Sequence, residues 1–158
     1  MNLPMTRLFL FTVLLAGSLD LAYACLVAPF RGYPATAVLQ AIASGLLGPD
    51  AFSGGPGVMA LGVLLHYLII VLMALPPWYA MAKWPRLAGA AAPLGLGYGA
   101  LLYAAMNYVV VPLSAAPLKP STQWTRILLE LLVHMVLVGL VLALGARRGS
   151  LARRPPDA

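Results

Sequence analysis

The chain has 158 residues, of which 62% are apolar and 9% are charged, and its mean hydropathy is +0.92. A soluble domain carries about 25% charged residues, so this composition argues against a soluble fold and predicts an integral membrane protein with the lipid bilayer as its partner. The single cysteine excludes an intrachain disulfide scaffold, and a net charge of +6 without a basic stripe interleaved with aromatic residues argues against nucleic acid as a partner.

Residues 8–28 form the first predicted membrane-spanning helix, since about 20 apolar residues cross the hydrocarbon core. Asp20 is the only charged residue inside this span. An apolar run followed by small residues and Cys25 is also typical of a signal peptide. Because the apolar run continues to Phe30, we favour an uncleaved helix.

The next segment, residues 34–47, has apolar residues at helical spacing, with Gln40 and Ser44 on its other face. It is too short to span the bilayer. We therefore expect a short amphipathic helix in the first outer loop that lies at the membrane interface or re-enters the membrane there.

Three further apolar stretches are long enough to span the bilayer: residues 59–80, 88–111 and 125–146. With the first span they predict an all-α integral membrane four-helix bundle, built as a single domain from residues 1–158. Four spans put both termini on one side, which carries seven of the ten Lys and Arg residues. The excess of positive charge places the N- and C-termini, and the basic tail 147–158, in the cytoplasm.

Six of the polar side chains inside the predicted spans lie at a similar depth, and such groups are costly in a bilayer and mark functional sites. They are Asp20, His66, Tyr103, Asn107, Glu130 and His134. Counted from the basic residue at the cytoplasmic end of each span, they fall within a band about 12 Å tall at 1.5 Å per residue. The sequence therefore predicts one polar intramembrane site in the outer half of the bilayer.

Helical spacing groups these residues on particular faces. In the third span, two glycines and two polar residues recur at intervals of four: Gly95, Gly99, Tyr103 and Asn107. The glycines predict close approach of a neighbouring helix. In the last span Arg126, Glu130 and His134 share a face, which makes Arg126 the expected charge partner of Glu130 at the outer edge.

Carboxylates and imidazoles inside a bilayer have perturbed proton affinities, and histidine titrates near physiological pH. We therefore expect proton or small-ion handling at Asp20, His66, Glu130 and His134. One alternative is a structural role, in which the polar layer joins the helices of a non-enzymatic assembly subunit whose partner is a second copy or another membrane protein. No arrangement of serine, histidine and acid supports an enzyme.

A haem or metal site is another alternative. In an up-down bundle the second and fourth spans run in the same direction, so His66 and His134 can face each other as bis-histidine haem ligation requires. A divalent metal is able to use both histidines with Glu130 and Asp20, a mixed nitrogen and oxygen ligand set. No helix carries a Glu-x-x-His or His-x-x-x-His motif, so neither cofactor is firmly implied.

The last span opens on Glu130-Leu131-Leu132-Val133-His134, and this pattern resembles the YagU-like family of small bacterial inner-membrane proteins. The resemblance covers most of the second to fourth spans. It includes His66, the basic loop Lys83-Trp84-Pro85-Arg86, the step Val111-Pro112-Leu113 and the closing pair Arg147-Arg148. It implies a location in the bacterial inner membrane and an association with acid resistance. Where relatives carry a histidine on the third span this chain has Asn107, which argues against transferring a haem or metal site.

Overall fold

The computed structural model describes residues 3–152. Within these residues all regular secondary structure is helical. The helices are α1 (Leu3–Val27), α2 (Thr36–Leu47), α3 (Pro56–Lys83), α4 (residues 91–113) and α5 (Trp124–Leu151). Short 3₁₀ turns lie between α1 and α2, between α2 and α3, and between α3 and α4. Residues 153–158 of the predicted tail lie outside the described range.

Four of these helices, α1, α3, α4 and α5, are long and apolar enough to cross a membrane, with runs of 24 to 29 residues when the turn before α4 is included. At 1.5 Å per residue a run of this length extends about 36 Å or more, which exceeds the hydrocarbon core of roughly 30 Å. Large apolar side chains on their outer faces, such as Leu68, Leu72 and Leu101, are exposed. Water disfavours such a surface and lipid does not, so the four helices indicate a multi-pass membrane protein.

The helices continue past the predicted span boundaries. α1 begins at Leu3 and α5 ends at Leu151, each five residues beyond the predicted limit. The added turns carry Arg7, Arg147 and Arg148. Backbone N–H and C=O groups near a membrane find hydrogen-bond partners most readily inside a helix. A basic residue therefore marks the end of an apolar run, while the helix itself continues beyond it.

α5 lies at the centre of the bundle and contacts α1, α3 and α4. We call the end of the bundle that holds the first residues of α1 and the last residues of α5 the terminal end. There the Ser150 hydroxyl donates to the Met81 carbonyl at 3.0 Å, and the rings of Phe9 and Trp78 pack edge to face at 5.1 Å. A Cβ placed on Gly149 would lie 2.9 Å from the Trp78 ring, so this glycine lets α3 approach α5.

α4 and α5 cross at glycines, as predicted for Gly95 and Gly99. A Cβ on Gly99 would lie 2.8 Å from the carbonyl carbon of His134, and one on Gly95 would lie 2.9 Å from the carbonyl oxygen of Gly139. Gly139 itself contacts the backbone of both α4 glycines. The two backbones therefore pack with no side chain between them, which brings the polar residues beyond the crossing close together.

α2 packs against α3 at the opposite end of the bundle, which we call the distal end. A Cβ on Gly62 would lie 2.8 Å from the carbonyl carbon of Leu39, and the Gln40 amide donates to the Gly54 carbonyl at 2.8 Å. The backbone N–H of Ala115 donates to the carbonyl of Gly45 at 3.0 Å, which ties the segment after α4 to α2. The short helix is therefore part of the packed bundle.

Both α4 and α5 contain a π-helical segment, Met106–Val110 and His134–Leu140. π-helical turns are rare and recur at functional sites, because the wider turn re-aims side chains and weakens the regular hydrogen-bond ladder. Asn107 and His134 lie in these segments, and Tyr103 lies one turn before the first. The local backbone thus departs from a regular α-helix where the predicted polar residues lie.

Candidate functional site

The structure places the six predicted polar residues in three settings. Those of α4 and α5 form one group, which together with two arginines we call the distal cluster. Its members are Arg31, Tyr103, Asn107, Arg126, Glu130 and His134. His66 lies instead at the contact between α1 and α3, and Asp20 lies on α1.

Glu130 is held by two arginines. Its Oε1 accepts a hydrogen bond from Nη1 of Arg31 at 2.7 Å and one from Nε of Arg126 at 3.0 Å. Arg126 precedes Glu130 by one helical turn, whereas Arg31 comes from the 3₁₀ turn after α1. The carboxylate is therefore charge-balanced, and the Arg31 ion pair fastens the end of α1 to α5.

His134 is oriented by its own helix. Its Nδ1 lies 2.9 Å from the carbonyl oxygen of Glu130. Since a carbonyl oxygen only accepts, Nδ1 carries the hydrogen and the neutral ring leaves Nε2 as an acceptor. The Tyr103 ring packs edge to face on the imidazole at 5.6 Å, and the Asn107 amide donates to the Tyr103 carbonyl at 3.0 Å.

His66 joins α3 to α1. The side chain is buried, with 7% exposure, and Nε2 donates to the Gly17 carbonyl at 2.9 Å. The neighbouring Tyr67 shares a hydroxyl hydrogen bond with Ser18 at 2.8 Å. A Cβ on Gly17 would lie 2.7 Å from the Tyr67 ring, so the helices meet here because position 17 is glycine. This geometry gives His66 a structural role at the contact.

Asp20 has no such partner. It follows Val13, Ala16 and Gly17 on the buried face of α1 and is itself half-buried. Among residues 3–152 no side chain or backbone group forms a hydrogen bond or ion pair with its carboxylate. One turn further along the helix, the Tyr23 hydroxyl is fully buried and also has no partner in the described part of the chain. The Tyr23 hydroxyl is thus a buried unsatisfied group, and Asp20, one turn before it, is a half-buried carboxylate without a partner among the described residues.

The predicted metal ligands do not gather into one group. Within the described residues no three His, Cys, Asp or Glu side chains lie close enough together to share a metal ion. α3 contacts α5 chiefly through Val141–Leu151, whereas His134 lies nearer the distal end. His66 and His134 each use one ring nitrogen on a backbone carbonyl. Each ring therefore keeps its second nitrogen, and an axial histidine ligand to a haem iron uses one nitrogen.

Two residues of these settings were not among the predicted site residues. They are Arg31, which forms an ion pair with Glu130, and Tyr23, which lies one turn after Asp20. The sequence signal for Arg31 is the small number of acids. Between Arg7 and the tail the sequence has only Asp20, Asp50 and Glu130, so few acids are available as partners for its basic residues. Tyr23 follows Asp20 by three residues, a spacing that places both on one helical face.

Comparison of the chain with protein-family models, with curated proteins and with solved structures gave no match. The chemistry of the described side chains therefore carries the functional conclusion. They offer a charge-balanced carboxylate, an imidazole with a free acceptor nitrogen, and a carboxylate without a partner.

Proposed function

We propose that the protein handles protons or a small cation across the membrane, and that Asp20 is the group that takes up and releases them. The observation that carries this proposal is the half-buried Asp20 carboxylate, which has no hydrogen-bond or ion-pair partner among residues 3–152. An unpaired carboxylate in a medium of low dielectric constant is disfavoured as a bare anion. It is stabilised by a proton or by a bound cation, and reversible exchange of either is the step that transport requires.

Glu130 differs from Asp20 in this respect. Its charge is already balanced by Arg31 and Arg126, so protonation would remove the negative charge that strengthens both hydrogen bonds. We assign Glu130 a structural role that closes the distal end of the bundle. His66 has a comparable role at the α1 and α3 contact, where it satisfies the Gly17 carbonyl. A purely structural role therefore explains Glu130 and His66, and it does not explain Asp20.

Tyr23 and His134 are the candidate steps between Asp20 and the distal surface. The Tyr23 hydroxyl is buried without a partner and lies about 4.5 Å further along the axis of α1 than Asp20, at 1.5 Å per residue. In its neutral form the His134 ring has an acceptor nitrogen that is not used in its bond to Glu130. Hydroxyl and imidazole groups both donate and accept protons, which suits them to relay a proton between a half-buried carboxylate and water.

The test compares two substitutions of the same chemistry in full-length protein. Asp20→Asn removes the unpaired membrane carboxylate, and Asp50→Asn removes an exposed one in the turn before α3. Proton flux is measured in proteoliposomes that contain a pH-sensitive dye, under an imposed pH gradient and again under an imposed sodium or potassium gradient. We expect D20N to fall to the flux of protein-free vesicles and D50N to match the unmodified protein. An unmodified protein that carries no flux, or a D20N variant with full flux, would contradict the proposal.

We further propose that the protein lies in the bacterial inner membrane with both termini in the cytoplasm. Lys83, Arg86, Arg147 and Arg148 all lie at the terminal end. At the distal end the basic residues are Arg31, Lys119 and Arg126, two of which form ion pairs with Glu130. The larger number of lysines and arginines at the terminal end supports the positive-inside orientation.

In this orientation α2 belongs to the outer side of the membrane, where it serves as the interfacial helix of the first outer loop. Its 12 residues extend about 18 Å, too short to cross. Its contacts with Gly62 of α3 support a position that dips into the bundle. Membership of the YagU-like family, and with it an association with acid resistance, agrees with proton exchange at Asp20 and is part of the same proposal.

A further inference from the structure

A shallow apolar groove runs along the surface where α1 meets α5 at the terminal end. Its walls are Leu8, Phe11 and Leu15 of α1 and Val141 and Leu144 of α5. Thr12 and Gly145 form the floor, because a Cβ on Gly145 would lie 2.8 Å from the Cβ of Thr12. The groove encloses about 180 Å³.

Two arginines stand at the terminal end of this groove. Arg148 is one of its lining residues, and an adjoining hollow of about 420 Å³ is lined by Leu144, Leu151 and both arginines. Both arginines are exposed, and no acidic side chain among residues 3–152 forms an ion pair with either. The apolar groove and the adjoining hollow thus border on two arginines that have no ion-pair partner among the described residues.

With the four helices crossing the membrane as proposed above, Arg147 and Arg148 lie at the boundary between hydrocarbon and headgroups. They follow directly on the apolar stretch of α5, which is uncharged from Leu131 to Ala146. A guanidinium at this depth is within reach of a lipid phosphate, with which it forms bidentate hydrogen bonds. The groove walls lie deeper, where acyl chains are the surrounding solvent.

We propose that this groove is a binding site for an anionic phospholipid, with the phosphate on Arg147 and Arg148 and one acyl chain along α1 and α5. Charge complementarity selects this occupant. A second copy of the chain in the same membrane would bring its own arginines to the same depth, where like charges repel. A zwitterionic lipid carries no net charge to balance the pair, so the site favours the anionic headgroup.

The first test removes the charges. A phosphatidylglycerol with a fluorescent acyl chain is titrated into the full-length protein in a neutral detergent. The double variant Arg147→Gln, Arg148→Gln should bind it more weakly by about tenfold or more. The control variant Lys83→Gln, Arg86→Gln removes two charges at the same end outside the groove and should keep the original affinity. Equal losses in both variants would show a nonspecific charge effect and overturn the proposal.

The second test fills the groove and leaves the arginines in place. Leu144→Trp places a bulky ring where the acyl chain would lie, and we expect loss of phosphatidylglycerol binding with a helical spectrum unchanged. Excess inorganic phosphate should not displace the labelled lipid from the unmodified protein. Displacement by phosphate alone, or full affinity in L144W, would overturn the acyl-chain site. A change in oligomeric state in L144W with unchanged lipid affinity would assign the groove to a protein contact and equally overturn it.

Discussion

The two carboxylates within the spans differ in how their charge is balanced. Glu130 accepts hydrogen bonds from Arg31 and Arg126, whereas Asp20 has no partner in the part of the chain that the structure describes. A paired charge is retained as an ion, and an unpaired one is stabilised by a proton or a cation. This contrast is the reason for proposing exchange at Asp20 and a structural role for Glu130.

We expect the ion pair with Arg31 to stabilise the fold more than the pair with Arg126. The Arg31 side chain is 24% exposed and that of Arg126 is 44% exposed, so water screens the second pair more strongly. Double-mutant cycles built from R31Q, R126Q and E130Q should give coupling free energies of about 1 kcal/mol and about 0.3 kcal/mol, respectively. Unfolding in mixed detergent micelles supplies the measurement. Equal couplings would contradict the assignment.

Helical spacing alone places Arg126 beside Glu130, because residues four apart on a helix are neighbours. The Arg31 pair is different, since 99 positions of chain separate the two residues. No helix contains both residues. Their contact depends on how the turn after α1 packs against α5. The same reason explains why the sequence could identify Asp20 as an acid inside a span without showing that it has no partner among the described residues.

Among the helices, the crossing of α4 and α5 is the contact that depends most on glycine. Gly95, Gly99 and Gly139 bring the two backbones together and leave no space for a Cβ. The polar residues Tyr103 and His134 meet just beyond this crossing. The arrangement of the distal cluster therefore rests on the absence of side chains at the crossing.

Gly99→Ala and Gly139→Ala should each destabilise the bundle by about 2 kcal/mol, because the added methyl group meets backbone atoms that cannot move aside. Gly97→Ala is the matched control, since Gly97 is exposed on the same helix and a Cβ there meets nothing within 4 Å. It should leave stability unchanged or raise it slightly through helix propensity. Thermal unfolding in detergent distinguishes the variants, and a G99A variant as stable as G97A would refute the packing argument.

The local sequence predicts that α2 is a helix, whereas its neighbours decide where it packs. Apolar spacing over residues 34–47 predicts a helix, and a helix is present at Thr36–Leu47. The spacing does not say which surface the helix covers. That is decided by Gly62, whose missing side chain lets the Leu39 backbone approach α3.

For the whole molecule, the distribution of lysines and arginines predicts the orientation in the membrane. Single cysteines are introduced at Gly89, in the turn before α4, and at Thr122, before α5, on a Cys25→Ala background. In intact bacterial cells with a permeabilised outer membrane, an impermeant maleimide should label T122C. It should label G89C only after the inner membrane is opened. The reverse pattern would invert the proposed topology, and the lipid groove would then face the outer leaflet.

The sequence by itself determined where the four long apolar helices lie, that each is long enough to cross a membrane, and which acids fall inside them. These are properties of contiguous stretches, since the length of an apolar run and the spacing along one helix follow from the order of residues alone. Only the tertiary structure decided that Arg31 neutralises Glu130, that His66 bonds to α1 and that Asp20 is left unpaired. Partners of this kind come from different helices, and their contacts depend on where glycines let backbones meet.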